Sequence, residues 1–292
     1  MEHTEERIVK VLEKLIASSH APQGRYSAKA TYPLLRKKIF GRRLMFVRRS
    51  LAAAATIAIL CAMAWWGYQS FYTTQTVSVY AQANIRNISL PDGTRITLNR
   101  YSSITYPKKF KERREVSLNG EAYFEVEHDS RHPFVVKTST IKVEDLGTRF
   151  NISAYQQSPT ITTALIEGSV NVIDDIHRKN ILLKPGETAL YNKKSRQLSQ
   201  QATNRISDDI AWRNGSLVFE HCSISEVAER LSNSFNVTIK ITDKTLSNYH
   251  INAKFCHKEG LRTILDILQQ AGYFNYQLTN NQILLYKRTN SK

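Results

Sequence analysis

Residues 51–68 contain no charged side chain, and this run constrains the fold of the chain more than any other feature. A helix that spans a bilayer needs ~20 apolar residues, within a range of about 17–25. Directly before the run, Lys and Arg recur between residues 36 and 49 with no Asp or Glu among them. Trp65, Trp66 and Tyr68 stand at its far end, as aromatic residues do at a membrane interface. The pattern predicts one transmembrane helix over residues 51–72.

Two other interpretations of this run are weaker. A buried core helix would not require basic residues at one end and aromatic residues at the other. A cleaved signal peptide fits the Ala-x-Ala sequence at residues 62–64, but its basic leader would be about 50 residues long, far more than usual. Since positive charge marks the cytoplasmic side, we expect residues 1–50 in the cytoplasm and residues 73–292 outside it.

The net charge of +16 is concentrated at the N-terminus, where residues 1–50 hold 12 Lys and Arg against 4 acidic residues. A basic arm can follow nucleic-acid phosphates. A basic block beside an apolar run more simply sets the topology and contacts anionic lipid head groups. We therefore expect the membrane, and no direct nucleic acid, as the partner of this charge.

The first 50 residues predict a short helical tail. Its opening segment carries apolar residues at i, i+3, i+4, i+7 and i+8, which form one stripe on a helix: Ile8, Val11, Leu12, Leu15 and Ile16. So small a unit cannot bury this stripe in a core of its own. A partner protein, self-association or the membrane surface must cover it, and a groove on a partner protein is the preferred interpretation.

Residues 73–192 follow the two-residue period of β-strands. Residues 88–98 predict a hairpin, with apolar side chains at alternate positions around a Pro-Asp-Gly turn. Further turn signals at Asn119-Gly120, Glu167-Gly168 and Pro185-Gly186 separate β-branched runs. The pattern predicts an all-β domain, either a sandwich or a β-solenoid, and periodicity does not choose between the two.

The rest of the chain changes pattern twice. Residues 193–211 are polar and rich in Ser and Gln, which indicates a linker or a loose edge of the β domain. Residues 212–292 then alternate strand and helix patterns in two similar halves. Two βαβ units of this size predict a compact α+β module. The chain is thus expected to be a multi-domain membrane protein with a helical tail, one transmembrane helix, a β domain and an α+β module.

The segment from Asn119 to Asp129 gathers three Glu, one Asp and His128, a composition that could form an acid–base or metal site. Within it, apolar residues at 122, 124 and 126 alternate with polar residues at 121, 123, 125 and 127, as in a strand with one buried face. A catalytic carboxyl pair needs one group removed from water, so that the two pKa values differ. No local feature predicts such removal, and we expect these carboxylates on a solvated strand face.

The rest of the sequence contains no motif that predicts an enzyme. The chain contains no G-x-S-x-G, H-E-x-x-H, Walker or dinucleotide-binding motif, so we expect no active site, no metal and no cofactor. The pairs His221-Cys222 and Cys256-His257 lack the short Cys spacing of a zinc site. Cys222 and Cys256 occupy equivalent positions in the two halves of the module. Outside the cytoplasm they can form a disulfide, and two buried thiols are the alternative.

Five motifs in order resemble the FecR family of membrane-bound anti-sigma factors and sigma regulators. They are LPDGTRITLN, SLNGEAYFEVEHDSRHPFVVKT, VEDLGTRFNISAY, LIEGSVNV and LKPGETA, and they cover about residues 85–190. The segment from residue 217 onwards is similar to the C-terminal module of family members that work with TonB-dependent outer-membrane transporters. That module resembles the secretin/TonB short N-terminal fold.

The resemblance implies a relay across the cell envelope. In the periplasm, the signalling domain of a TonB-dependent outer-membrane transporter would contact the outer region. In the cytoplasm, the stripe of Ile8, Val11, Leu12, Leu15 and Ile16 would hold an extracytoplasmic-function sigma factor and release it on signal. The alternative is a membrane-anchored periplasmic binding module without a sigma-factor partner, whose tail only anchors it.

The resemblance also implies one reactive bond. Some members of the family cleave themselves at a Gly-Thr bond, which corresponds here to Gly147-Thr148. The threonine hydroxyl would attack the preceding carbonyl and give an ester that water opens, helped by a strained turn. The alternative is that Gly147 only permits a turn between two strands.

Overall fold

The computed structural model describes residues 2–18, 51–68, 75–202, 206–256, 259–279 and 282–287. The chain divides into two compact units, residues 1–73 and residues 74–292. Residues 19–50 of the predicted tail and residues 69–72 of the predicted transmembrane helix lie outside the described residues.

The N-terminal unit contains the helices α1 (Glu2–Ser18) and α2 (Leu51–Tyr68). The predicted stripe of α1 is exposed: Ile8, Val11, Leu12 and Leu15 show between 42% and 60% of their surface. The side chain of Ile16 lies outside the described part. Helix α2 has no buried residue, and its length and composition suffice to cross a membrane. It is therefore compatible with a single-pass membrane protein.

The β domain follows the same two-residue alternation that its sequence shows. Its 13 strands are β1 (Thr76–Ala81), β2 (Arg86–Ser89), β3 (Arg95–Leu98), β4 (Ser102–Pro107), β5 (Arg114–Glu125), β6 (Phe134–Lys137), β7 (Lys142–Asp145), β8 (Arg149–Ala154), β9 (Thr160–Glu167), β10 (Val170–Asp174), β11 (Lys179–Leu183), β12 (Glu187–Asn192) and β13 (Gln197–Ala202). The hairpin predicted over residues 88–98 is confirmed, since β2 pairs with β3 and Ile88 lies opposite Ile96.

The long strand β5 belongs to two sheets. Its first half pairs with β4 and β6 in a first sheet, which continues through β7, β10 and β11 and also contains β1. Its second half pairs with β3 and β8 in a second sheet, which continues through β9, β12 and β13 and also contains β2. Gly120 lies where β5 passes from the first sheet to the second. Its φ is +104°, and a Cβ there would lie 2.3 Å from the Ser102 Oγ, so only glycine fits.

The two sheets enclose one apolar core, to which both contribute. Its buried members include Ile104, Phe134 and Val172 of the first sheet and Leu98, Phe150 and Ile161 of the second. Every described strand pair in this domain is antiparallel except β5–β6. Two sheets around one core favour the sandwich of the two predicted architectures.

Of the two interpretations of residues 193–211, a linker or a loose edge, the structure supports the edge, because the segment contains an edge strand of the second sheet. Strand β13 pairs antiparallel with β12 over six residue pairs, from Asn192–Gln197 to Glu187–Ala202. Only Leu198 of this strand is buried, and the strand is polar because an edge strand with an outward face needs few apolar residues. The polar composition therefore reflects an exposed edge and not an unpaired linker.

The C-terminal module has the order of strands and helices that its sequence predicts. Its elements are α3 (Ile206–Asp209), a 3₁₀ turn (Ala211–Asn214), β14 (Leu217–Ser223), α4 (Ile224–Phe235), β15 (Thr238–Ile241), α5 (Lys244–Ser247), β16 (His250–Phe255), α6 (Leu261–Gln270), β17 (Asn275–Thr279) and β18 (Gln282–Tyr286). Strand β14 pairs antiparallel with β16, while β18 lies between a parallel β15 and an antiparallel β17. Helices α4 and α6 place Val227, Leu231 and Leu265 in the core that these strands share.

Candidate functional site

The C-terminal module packs against the outward face of the second sheet. The guanidinium carbon of Arg213 lies 3.7 Å from the ring centre of Tyr123, a cation–π contact. The same guanidinium lies 3.5 Å from the Glu125 carboxylate. On helix α4, the Asn233 amide donates a hydrogen bond of 2.9 Å to the Ser158 hydroxyl. These contacts hold the module on the sheet through polar groups.

A cavity of about 400 Å³ lies between the sheet and the module. Its wall on the sheet side consists of outward residues from successive strands, among them Asn99, Glu121, Asn151, Thr162 and Thr188. The alternate residues of those strands face the apolar core. The sheet therefore has one apolar and one polar face, and the module covers the polar one.

The prediction of a solvated strand face is wrong for Glu121. Its two carboxylate oxygens accept hydrogen bonds from the Asn99 and Asn151 amides, at 2.7 and 2.9 Å. Desolvation by the surrounding protein raises the pKa of Glu121 to about 7, and the two amide hydrogen bonds oppose this rise only in part. Local alternation could not predict this, because the groups that remove water come from a module about 90 residues further along the chain.

Several polar atoms beside the cavity have no hydrogen-bond partner among the described residues. They are the Asn151 Oδ1, the Thr188 Oγ1, the Asp208 Oδ2 and the Trp212 Nε1. Asn151, Thr188 and Trp212 are each at least nine-tenths buried. None of these residues is predicted as part of a site by the sequence. The sequence feature that could have indicated them is the run of Asn and Thr residues at outward positions of neighbouring strands. An uncovered sheet face would carry charged residues at such positions equally well.

The remaining residues of the Asn119–Asp129 segment form no site together. Glu127 and His128 are exposed, and Asp129 forms an ion pair with His132 at 2.7 Å. The hydrogen bond from His132 lowers the pKa of Asp129 to about 2. Among the described residues, no group of three or more His, Cys, Asp and Glu side chains is arranged to hold a metal ion.

The suggested disulfide between Cys222 and Cys256 does not form in the structure. Cys222 is buried and lies opposite Ile251, whereas Cys256 is exposed and follows Phe255, which lies opposite Leu217. The two cysteines are thus about five residues apart along an antiparallel pair, or ~17 Å at ~3.3 Å per residue. A disulfide requires Cα atoms within ~7 Å. Equivalent repeat positions fall at opposite ends here because the two strands run in opposite directions.

The bond between Gly147 and Thr148 lies in the turn from β7 to β8. The backbone N–H groups of both residues donate to the Asp145 carboxylate, at 3.0 and 3.1 Å. Gly147 has a φ of +144°, and a Cβ there would lie 2.6 Å from the His128 Nδ1. Thr148 is 6% exposed, and its Oγ1 has no hydrogen-bond partner among the described residues. The turn thus holds the threonine hydroxyl unengaged beside its own peptide bond.

Comparison with protein-family models gives two matches. The FecR protein model matches residues 75–171, and the model of the FecR C-terminal region matches residues 216–285. The comparison with curated proteins gave no match.

Solved structures agree with these matches. Two crystal structures of proposed anti-sigma factors from Parabacteroides distasonis ATCC 8503 are similar to this chain. One is 27% identical with a TM-score of 0.64, covering 74% of this chain and 100% of its own. The other is 26% identical with a TM-score of 0.65, covering 73% of this chain and 100% of its own. With both of its family regions matched in order on the β domain and the module, the chain belongs to the FecR family.

Proposed function

We propose that this chain is a single-pass inner-membrane regulator of an extracytoplasmic-function sigma factor. It relays a signal from a TonB-dependent outer-membrane transporter in the periplasm to the cytoplasm. The similarity to proteins described as proposed anti-sigma factors supports the sigma-factor partner. The apolar helix α2 supports the membrane anchor.

The observation that carries the cytoplasmic half of the proposal is the exposed stripe of α1. Ile8, Val11 and Leu12 present adjacent apolar side chains on one face of the helix. An amphipathic helix of this kind gains free energy when its apolar face enters a groove on a partner. A sigma factor supplies that groove, and release of the helix frees the sigma factor for transcription.

The periplasmic half rests on the edge strands of the module. In the sheet β15–β18–β17, both β15 and β17 pair on one side only among the described strands. An edge strand has backbone N–H and C=O groups that can pair with a strand of another protein. The signalling domain of the transporter is the partner proposed for such an edge.

Co-purification of the tagged full-length chain from its native cells tests the sigma-factor partner. Mass spectrometry should detect a sigma factor with the native chain, and Leu12→Asp with Leu15→Asp should remove it because two charges would enter an apolar groove. The matched control, Lys10→Asp with Ala17→Asp, places two carboxylates on the opposite face of the helix and should retain the sigma factor. A chain that expresses normally but retains no sigma factor would favour the membrane-anchored periplasmic binding module.

The geometry of the turn at Gly147 also supports self-cleavage at Gly147-Thr148. The Thr148 Oγ1 would attack the Gly147 carbonyl carbon while its proton passes to the departing Thr148 nitrogen. Water then opens the ester and leaves a carboxylate on Gly147. The fragments have 147 and 145 residues, so both migrate near half the full mass and intact-mass spectrometry must separate them.

A Thr148→Ala variant should remain full length during prolonged incubation, since it lacks the attacking hydroxyl. The matched control Thr140→Ala, in the turn between β6 and β7, should cleave like the native chain. A native chain that stays intact would leave Gly147 with the role of a turn residue alone.

A further inference from the structure

The cavity between the second sheet and the module has an acidic lining. Five carboxylates line it, from Glu121, Asp208, Asp209, Glu226 and Glu229, against one guanidinium among the described residues, that of Arg230. The same burial that raises the pKa of Glu121 also raises the pKa of Glu229. The cavity therefore places five carboxyl groups around a space from which water is partly excluded, where a bound cation would favour their charged form.

The contacts of the fold account for only part of this charge. Arg230 donates to the Asp209 carboxylate at 2.8 Å and to the Val218 carbonyl oxygen at 3.1 Å. The Glu226 carboxylate accepts from Ser223 at the start of α4. The hydrogen bonds that Glu121 accepts come from two neutral amides, which neutralise no charge. The Arg230 guanidinium, which already pairs with Asp209, also lowers the pKa of Glu121, but by less than burial raises it.

Most of the polar atoms left over in this lining can accept a hydrogen bond, and the Thr188 hydroxyl can also donate one. The Asn151 Oδ1, the Thr188 Oγ1 and the Asp208 Oδ2 have no hydrogen-bond partner among the described residues. The Trp212 Nε1 is a hydrogen-bond donor that likewise has no partner among the described residues. Buried polar groups are normally hydrogen-bonded. A volume of about 400 Å³ lies in the range of pockets that hold small molecules.

We propose that this cavity binds a small organic cation that carries an ammonium group and a hydroxyl group. An ammonium group has three donors and no acceptor. It would donate to the Glu121 carboxylate and to the neighbouring acceptors on Asn151 and Asp208. The hydroxyl oxygen would accept from the Trp212 Nε1. The ligand would join the sheet and the module, since Glu121 and Asn151 belong to one and Asp208 and Trp212 to the other. This proposal does not depend on the sigma-factor partner.

The full-length chain in detergent micelles provides the test, with Trp212 as the reporter. The sequence contains three Trp residues, so Trp65→Phe with Trp66→Phe leaves Trp212 as the single tryptophan. The probe is 4-aminobutan-1-ol, and its neutral counterpart is butane-1,4-diol. We expect a saturable change in Trp212 fluorescence with the amine and an apparent affinity at least tenfold lower with the diol.

Glu121→Gln should weaken binding of the amine at least tenfold, while Glu115→Gln, on the first half of the same strand, should leave it unchanged. If Glu121→Gln disturbs the fold, as judged by circular dichroism, Asp208→Asn provides the second variant with the same expectation. Binding should also weaken as the pH falls below about 7, because Glu121 then becomes neutral.

Three results would overturn the proposal. The first is the lack of any saturable change with 4-aminobutan-1-ol in a folded chain. The second is equal affinity for the amine and the neutral diol. The third is an unchanged affinity in both folded carboxylate variants, which would place the amine elsewhere on the protein.

Discussion

The helices α1 and α6 carry similar apolar stripes but expose them differently. In α6, Ile264, Leu265 and Leu268 are each at most 1% exposed, because the strands of the module cover them. In α1, Leu12 and Leu15 are 42% and 60% exposed. The same periodicity thus predicts a helix and its apolar face in both cases. Whether the cover for that face comes from the same chain or from a partner depends on which elements lie beside it.

The largest expected effect tests this comparison directly. Leu265→Ala should lower the free energy of unfolding of the outer region by ~2–5 kcal/mol, since it leaves a cavity in a packed core. Leu12→Ala in α1 should change it by no more than ~0.5 kcal/mol, as is usual for exposed positions. Chemical denaturation of the full-length chain, followed by circular dichroism, measures both.

Ile267 provides a control for Leu265 within the same helix. It lies on α6 two residues after Leu265, on the opposite face of the helix, and is 44% exposed. Ile267→Ala should therefore behave like Leu12→Ala and not like Leu265→Ala. Equal losses for Leu12 and Leu265 would mean that α1 is packed in the isolated chain, and the comparison would fail.

The carboxylates of β5 show a similar contrast between an enclosed position and a more exposed one. The pKa of Glu121 rises from about 4.5 to about 7 on folding, so folding favours its neutral form. Its contribution to stability is fully present below pH 4.5, decreases as the pH rises towards 7, and is lost above that. The unfolding free energy should fall by up to ~3 kcal/mol over this range, at ~1.4 kcal/mol per pKa unit.

Glu121→Gln should flatten this pH dependence, because glutamine does not titrate. The half-exposed counterpart Glu115, which forms an ion pair with Lys137, serves as the control, and Glu115→Gln should keep the native slope. Denaturation midpoints at several pH values between 4 and 8 measure the difference. A native chain whose stability does not vary across this range, or that rises with pH, would contradict the enclosure of Glu121.

The smallest predicted effect concerns the start of α4. The Ser223 hydroxyl accepts from the Glu226 backbone N–H at 3.2 Å, and the Glu226 carboxylate accepts from the Ser223 N–H at 2.7 Å, forming a capping box. Ser223→Ala should cost ~1 kcal/mol of unfolding free energy. Ser225→Ala, at an exposed position two residues later, should cost close to none. Similar losses in both variants would show that the cap contributes little to this helix.

Local pattern was sufficient to predict most of the strands and helices, though not β13, and it did not predict what covers them. The hairpin at Ile88 and Ile96 and the helices α4 and α6 follow from alternation, helical spacing and turn residues. The enclosure of Glu121 and the separation of Cys222 from Cys256 could not be predicted in this way. Both depend on contacts between distant segments: the docking of the module in one case, the direction of strand pairing in the other.

The order of strands around Gly147 has a mechanical consequence. A cut after this residue separates β1–β7 from β8–β13, yet six residue pairs join β5 to β8 and four join β7 to β10. The two halves would therefore stay associated after cleavage, because each contributes strands to both sheets. A force applied to the C-terminal half would act on the β5–β8 and β7–β10 pairings, because the covalent bond between the halves is broken. Such a protein would transmit force up to a threshold and then come apart along its strand pairs.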